Sequence, residues 1–245
     1  MPPHSAGSVL VEIVIDDVEG ALIAEREGAD RVELCADLGQ GGTTPSIGMI
    51  RRVLANVERV GVQVMVRPRG GDFVYNEDEI AVMVEDARAI SALAAAAPVK
   101  VGVVTGALSA TGDVDEQAMA RIVQAAHPVP VTFHKAIDAA ADVDAAYAVL
   151  ARLGLERVLT SGGAPTALEG ADALARLVAA PSGPAVLAGG GVRPHNIHEL
   201  LAAVPVDEVH LRAQAPSERG DGTLRTDPRV VRDAVQAAMS ARLED

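Results

Sequence analysis

The sequence predicts an α/β protein that folds as a single (β/α)8 TIM barrel across residues 1–245. Short apolar segments alternate strictly with longer segments of helical character, and this alternation implies a parallel sheet. The alternation repeats as eight units of about 30 residues, a number and size that match a closed barrel. An open doubly wound sheet is the alternative arrangement.

The strands are predicted where β-branched and apolar residues cluster. Their ranges are Val9–Ile15, Arg31–Cys35, Val62–Arg67, Val99–Val104, Val129–His134, Arg157–Thr160, Ala185–Ala188 and Glu208–Leu211.

The helices are predicted between capping and breaking residues, such as Asp16 before the first helix and Gly28 after it. Their ranges are Val18–Glu27, Ser46–Val60, Asn76–Ala97, Asp115–Ala126, Asp142–Leu153, Thr166–Ala179, His195–Ala203 and Arg229–Arg242.

Composition and charge exclude several classes of function. Hydrophobic residues make up 49% of the chain and the net charge is −13, which argues against a nucleic-acid partner. No apolar run reaches the length of a membrane span, and residues 1–17 lack the pattern of a secretory signal. The only cysteine, Cys35, excludes an internal disulfide and suits a reducing cytoplasm. We therefore expect a cytoplasmic protein.

Alternation along the strands places an unusually polar set of side chains inside the barrel, where aliphatic residues are the rule. This inward set comprises Glu12, Glu33, Cys35, Gln63, Arg67, Thr132, His134 and His210. Because buried charges are costly unless they are paired, Glu33 and Arg67 on neighbouring strands are the expected ion pair. A purely structural ion-pair network is the alternative explanation of Glu12, Glu33 and Arg67.

The segment VQVMVRPRGGDFVY, Val62–Tyr75, combines a strand with an anion-binding pattern. Pro68 stops the strand, and Arg67 and Arg69 flank it just before a glycine pair and Asp72. Guanidinium groups bind carboxylates and phosphates in a bidentate manner, so the strand end predicts a ligand site. An ordinary surface loop is the alternative.

Two further loops at strand ends resemble parts of a ligand-binding mouth. Thr160 and Ser161 precede a glycine pair, and Gly189 and Gly190 begin a glycine run after the seventh strand. Glycines allow backbone N–H groups to approach an anion, although a tight strand-to-helix turn needs them equally. His210 points inward from the eighth strand and joins the predicted ligand-binding set.

The motifs RVELCADLGQGGTTPS, RPRGGDFVYNEDE, VTFHKAID, RVLTSGG and AGGGVRPHN occur in this order and resemble the CutC family of copper-homeostasis proteins. The resemblance implies a cytoplasmic (β/α)8 barrel, often self-associated as in a homodimer, with a role in copper handling. Lys135 and Leu211-Arg212 depart from the usual family pattern, and Arg212 adds a positive charge near the mouth.

Three functions remain open from the sequence. Copper is the metal that the resemblance implies, and Cys35 is its candidate ligand, although dedicated Cu(I) sites commonly use two or more sulfur atoms. A lyase, isomerase or hydrolase would instead bind a small anionic, sugar-like molecule through Arg67 and Arg69. Glu12, Glu33 and His134 would then supply acid–base chemistry. A non-catalytic carrier of a small ligand is the third possibility.

Overall fold

Eight parallel strands form a closed barrel in the computed structural model, which describes residues 9–217, 220 and 222–241. Each strand pairs with the next along the chain, and β8 closes the barrel by pairing with β1. The closed order confirms the predicted (β/α)8 barrel and excludes the open sheet.

The strands of the barrel are short and buried along most of their length. They are β1 Leu10–Ile15, β2 Arg31–Leu34, β3 Gly61–Met65, β4 Val101–Thr105, β5 Val131–Phe133, β6 Arg157–Thr160, β7 Ala185–Gly189 and β8 Glu208–Leu211.

The helices surround the barrel, each after its strand. They are α1 Val18–Arg26, α2 Ile47–Leu54, α3 Glu77–Ala94, α4 Glu116–Ala126, α5 Val143–Arg152, α6 Ala171–Val178, α7 Ile197–Ala203 and α8 Pro228–Ala241. Short 3-10 helices cover Leu38–Gln40, Lys135–Ala139 and Pro194–Asn196.

Side-chain caps explain where several helices begin. Asn76 and Glu79 form a reciprocal capping box at α3, and the Asp115 carboxylate accepts from the backbone N–H of Ala118 at α4. At α1 the cap is Asp17, whose Oδ1 accepts from the Gly20 N–H, so the predicted cap Asp16 was wrong by one residue.

Helix α2 is shorter than predicted because the Glu25 carboxylate binds the backbone of the segment that follows it. Glu25 Oε2 accepts hydrogen bonds from three consecutive backbone N–H groups at residues 58–60. These N–H groups are therefore unavailable for helical bonds, and the helix ends at Leu54 rather than at Val60.

The segment predicted as a loop between residues 217 and 226 contains part of a small hairpin. Strand β9 (Gln214–Pro216) pairs antiparallel with β10 (Leu224–Thr226). The predicted end of the last helix, Arg242, and the first eight residues lie outside the described part of the chain. Within the described part, no helix is long and apolar enough to cross a membrane.

The two faces of each strand are buried against different surroundings. Val32 and Leu34 belong to the main core between sheet and helices, as predicted. Val14, Cys35, Leu38, Met65 and Val104 form a separate apolar cluster. Cys35 and Met65, which were predicted to point inward, thus belong to a cluster that is separate from the core between sheet and helices.

Candidate functional site

A layer of paired charges forms the floor of the barrel interior. Arg31 binds Glu12 through Nε and Glu208 through Nη2, the second at 2.6 Å. Arg157 Nε donates to the same Glu208 oxygen at 2.5 Å and its Nη1 donates to Thr132 Oγ1. These side chains are at most about a tenth exposed, so the pairing offsets the cost of burying them.

Above this floor, His210 lies between two glutamates. Its Nδ1 is 2.8 Å from Glu12 Oε1, and its Nε2 is 3.8 Å from Glu33 Oε2. Glu33 Oε1 is buried and has no hydrogen-bond partner among the described residues. Within the described chain, Glu12, Glu33 and His210 are the group whose potential ligand atoms lie close enough to share a metal ion.

Burial and charge act in opposition on these three groups. Burial alone would raise the pKa of Glu12, but Arg31 and His210 outweigh it and lower the pKa to about 2. Burial raises the pKa of Glu33, with a smaller contribution from the nearby Glu12. Burial would lower the pKa of His210, but the Glu33 and Glu12 carboxylates raise it above its usual value.

Arg67 does not pair with Glu33, so this predicted ion pair was wrong. Its guanidinium donates to backbone oxygens of Gln40, Gly42 and Gly71 and lies 4.8 Å from the Phe73 ring centroid. The partner of a buried arginine was predicted as a carboxylate, but loop carbonyls satisfy most of its donors instead.

Arg69 and Asp72, predicted to bind a ligand, do not line the mouth cavity, and that role stays a prediction. Arg69 Nε donates to Glu79 Oε1 at 2.6 Å, and Arg69 Nη1 binds Asp72 Oδ1 at 3.1 Å. The Asp72 side chain is 71% exposed. The chain turns at Pro68, which directs these two residues toward the start of α3, while Arg67 lines the mouth of the barrel.

His134 lines the mouth, and one of its ring nitrogens accepts a backbone hydrogen bond. Its Nδ1 accepts from the Ala136 backbone N–H, so Nε2 carries the proton when the ring is neutral. Burial and the charge of Arg67 lower its pKa to about 3. His134 is therefore a neutral hydrogen-bond donor near pH 7, and its predicted acid–base role stays a prediction.

Asp138 organises the loops after β5 and β6. Its carboxylate accepts from Thr160 Oγ1, from the backbone and hydroxyl of Ser161, and from the Gly163 N–H. Thr160 and Ser161, predicted to contact a ligand, are both fully buried and bind Asp138, and their contact with a ligand stays a prediction. The residue they help to hold is Lys135, whose Nζ is 2.5 Å from Asp138 Oδ2 and 2.7 Å from Ser161 Oγ.

Gly189 was also predicted to bind a ligand directly. A Cβ atom at this position would lie 3.3 Å from the His210 Cβ and closer still to the Leu159 side chain. Gly189 thus makes room inside the barrel for His210, whereas the following glycine, Gly190, lines the mouth.

The mouth encloses a cavity of about 360 Å³. Arg67, Lys135, Arg193 and Arg212 line it, together with the carboxylate residue Glu33. Within the described chain none of the three guanidinium groups forms an ion pair with a carboxylate. The cavity therefore carries an excess of positive charge.

Lys135, Arg193 and Phe73 also line the cavity, and none of them was among the predicted site residues. Arg212 was noted as a positive charge near the mouth, and Lys135 follows the predicted His134 directly. The signal for both was their position just after a strand, where barrel sites are built.

Cys35 lies beside the glutamate–histidine cluster. Its Sγ is 3.7 Å from Glu33 Oε2, and its side chain packs with Met65 and Leu38. Burial, followed by the charge of Glu33, raises the pKa of the Cys35 thiol well above its usual value. The thiol form, not the thiolate that binds metals, is therefore favoured.

Comparison with known sequences gives one family. The model of the CutC family matches residues 9–215. The chain is 42% identical over 217 residues to the human protein named "Copper homeostasis protein cutC homolog", covering 88% of this chain and 77% of the relative. It is 44% identical to a CutC family protein of Salmonella enteritidis, covering 83% of this chain and 79% of that one.

Solved structures agree with this result. A CutC crystal structure from Streptococcus agalactiae, described as a copper homeostasis protein, covers 82% of this chain with 30% identity and a TM-score of 0.76, over 97% of its own length. The Pyrococcus furiosus phosphoribosylanthranilate isomerase, at 17% identity and a TM-score of 0.56, shares the barrel fold alone over 95% of this chain and 99% of its own. The family match and the level of identity establish that the chain belongs to the CutC family.

Proposed function

We propose that the protein takes part in copper homeostasis and binds copper as Cu(II) at its mouth, through Glu33 and His210. The single observation that carries this proposal is the buried, unpartnered Glu33 Oε1 beside a histidine that a second carboxylate orients. Imidazole nitrogen and carboxylate oxygen are suitable ligands for divalent copper.

Glu12 supports the proposal as an orienting group rather than as a ligand. The Glu12 carboxylate accepts a hydrogen bond from His210 Nδ1, so His210 Nε2 is the nitrogen that faces Glu33. Carboxylate–histidine pairs of this kind fix the ring and raise its basicity as a ligand. The role in copper homeostasis itself comes from the names of the relatives.

The predicted ligand Cys35 fits copper less well. Cu(I) prefers two or more soft ligands, and here one buried thiol shares its surroundings with the Met65 thioether. The donor set therefore suits Cu(II) better than Cu(I).

Titration of metal-free protein with Cu(II), followed by calorimetry and electron paramagnetic resonance, tests this proposal. We expect one copper per chain with coupling to one imidazole nitrogen. Glu33→Gln and His210→Gln should each weaken binding by about tenfold or more. Cys35→Ser is the matched control, since it alters a neighbour of Glu33 and should leave the affinity unchanged. Loss of binding in Cys35→Ser alone would contradict the site and support the thiol.

A second function, binding of a small organic anion, is supported by the unpaired guanidinium groups at the mouth. An enzyme of this type would use His134 as a neutral donor to a substrate oxygen and Glu33 as the acid–base group. Incubating the protein with small organic anions and measuring both binding and turnover separates an enzyme from a carrier. Absence of binding to any of them would remove this function.

A further inference from the structure

Lys135 is the one lysine near the barrel mouth, and it is held in place. Its Nζ binds Asp138 and Ser161, and it lies 3.2 Å from the position that a Cβ on Gly190 would occupy. The side chain is 41% exposed and lines the cavity. Its ammonium group thus faces both the cavity and the loop after β7.

The loop after β7 presents backbone donors to the same place. Gly190 and Gly191 have φ angles of +107° and +69°, and Gly190, Gly191 and Val192 all line the cavity. Residues with a side chain rarely adopt such positive φ angles, so both positions require glycine.

The hydrogen bonds of this loop leave two of its N–H groups available. The carbonyl oxygens of Gly190, Gly191 and Val192 accept from Ala167 N, Asn196 Nδ2 and Arg193 Nη1. The register Gly189↔His210 directs the Gly190 N–H toward the His210 carbonyl oxygen, whereas the N–H groups of Gly191 and Val192 donate to no other residue in the described part of the chain. Successive unpartnered N–H groups form a concave site for an anion.

Charge at the mouth matches such a ligand. Arg193 and Arg212 line the cavity without a carboxylate partner among the described residues. Asp138 partly neutralises the charge of Lys135. Lys135 therefore adds little net charge to the cavity and acts there mainly as a hydrogen-bond donor in a fixed position. The loops after the seventh and eighth strands are where barrels of this type commonly hold phosphate groups.

We propose that Lys135 and the backbone N–H groups of Gly191 and Val192 form a binding subsite for the phosphate group of a small organic ligand. The rest of the ligand extends toward Glu33 and His210, which line the same cavity. Two adjacent N–H groups and an ammonium group suit the several oxygens of a tetrahedral anion better than the two of a planar carboxylate. The inference rests on the second proposed function, and it names the ligand class of that site.

Titration of isotope-labelled protein with inorganic phosphate and with glycerol 3-phosphate tests the subsite. We expect saturable shifts in the amide resonances of Gly191 and Val192. Lys135→Met should weaken binding by about tenfold or more, and Lys135→Arg should restore part of it. The chain's other lysine, Lys100, is exposed and immediately precedes β4, so Lys100→Met should change nothing.

Thermal unfolding of each variant shows whether the fold is intact, and Lys135→Arg keeps the test informative if Lys135→Met is unstable. Equal phosphate affinity in wild type and a folded Lys135→Met would overturn the subsite. So would the absence of shifts in the two amides. Binding of acetate at these amides as tight as that of phosphate would refute the phosphate class, while the small-anion function would stand. If none of these anions binds, both fail together, and the copper proposal is unaffected.

Discussion

Glu12 binds His210 through one carboxylate oxygen and Arg31 through the other. One side chain therefore links the candidate metal ligand above it to the floor of paired charges below it. The position of His210 depends on the stability of that floor.

Replacing Glu12 with glutamine should be strongly destabilising. The substitution keeps the shape but leaves two buried arginines, Arg31 and Arg157, to share the single carboxylate of Glu208. Breaking a buried ion pair costs about 3–5 kcal/mol. Urea denaturation of wild type and variant measures the change. Glu116→Gln is the matched control because its ion pair with Arg152 is more than half exposed. We expect that control to lose less than about 1 kcal/mol. Similar losses in the two variants would contradict the structural role of Glu12.

The stabilising contribution of His210 should decrease at alkaline pH. Its pKa is raised in the folded protein, so its contribution is fully present below the unfolded value near 6.5. That contribution is lost as the pH rises through the folded pKa. The free energy of unfolding at about pH 6 and about pH 9, measured for wild type and His210→Gln, tests the sign. Wild type should lose more stability than the variant, and a difference of opposite sign would show that His210 is not stabilised in its charged form.

His134 should stay neutral through the mildly acidic range. Burial and Arg67 lower its pKa to about 3, and its Nδ1 accepts from the Ala136 N–H. Nitrogen-15 correlation spectra of the ring at about pH 5 should therefore show a proton on Nε2 and an unprotonated Nδ1. A cationic ring under these conditions would mean that the site tolerates a second positive charge beside Arg67.

Removing the Asp138 carboxylate should loosen two loops at once. Asp138→Ala leaves the fully buried Thr160 hydroxyl and the backbone N–H of Ser161 without their acceptor. Each unsatisfied buried group costs about 1–3 kcal/mol, so we expect a loss of at least about 2 kcal/mol. Chemical denaturation measures it, with Asp113→Ala in an exposed turn as the control. If Asp138→Ala loses no more stability than the control, contacts other than those of Asp138 hold the two loops in place.

Cys35 should be inert in the folded protein. Its side chain is 1% exposed and the pKa of its thiol is raised, so little thiolate meets a reagent at neutral pH. Alkylation by iodoacetamide should proceed at the rate of unfolding in native buffer and rapidly in denaturant. Fast labelling of the folded chain would show that the apolar cluster around Cys35 opens readily.

The order of strands and helices could be predicted from the sequence because alternation and parity are local patterns. The same parity placed Glu33, Cys35 and His210 together inside the barrel. Parity assigned each residue to a face of its strand but did not give its level along the barrel axis. That level decides which side chains a residue contacts. Arg31 and Arg157 begin their strands and meet Glu208 at the floor, whereas Arg67 follows its strand and reaches only loop carbonyls.

The loops were harder to predict than the strands. Arg67 and Arg69 are two residues apart, yet the turn at Pro68 separates them onto different surfaces. Thr160 and Ser161 have the residue types of a ligand site, but the Asp138 carboxylate takes up their donors. Such choices depend on tertiary contacts that no single segment contains.

The charged floor limits how a ligand reaches the barrel interior. Arg31, Glu12, Glu208 and Arg157 fill the lumen beneath His210, and the mouth cavity does not extend to any of them. A separate hollow at the opposite end, of about 280 Å³, stops at Glu208. Among the described residues, the interior is thus open at the mouth and closed at the floor. A ligand that binds beside His210 must enter and leave past Arg67, Arg193 and Arg212, which line the mouth. These three arginines therefore govern both its association rate and its dissociation rate.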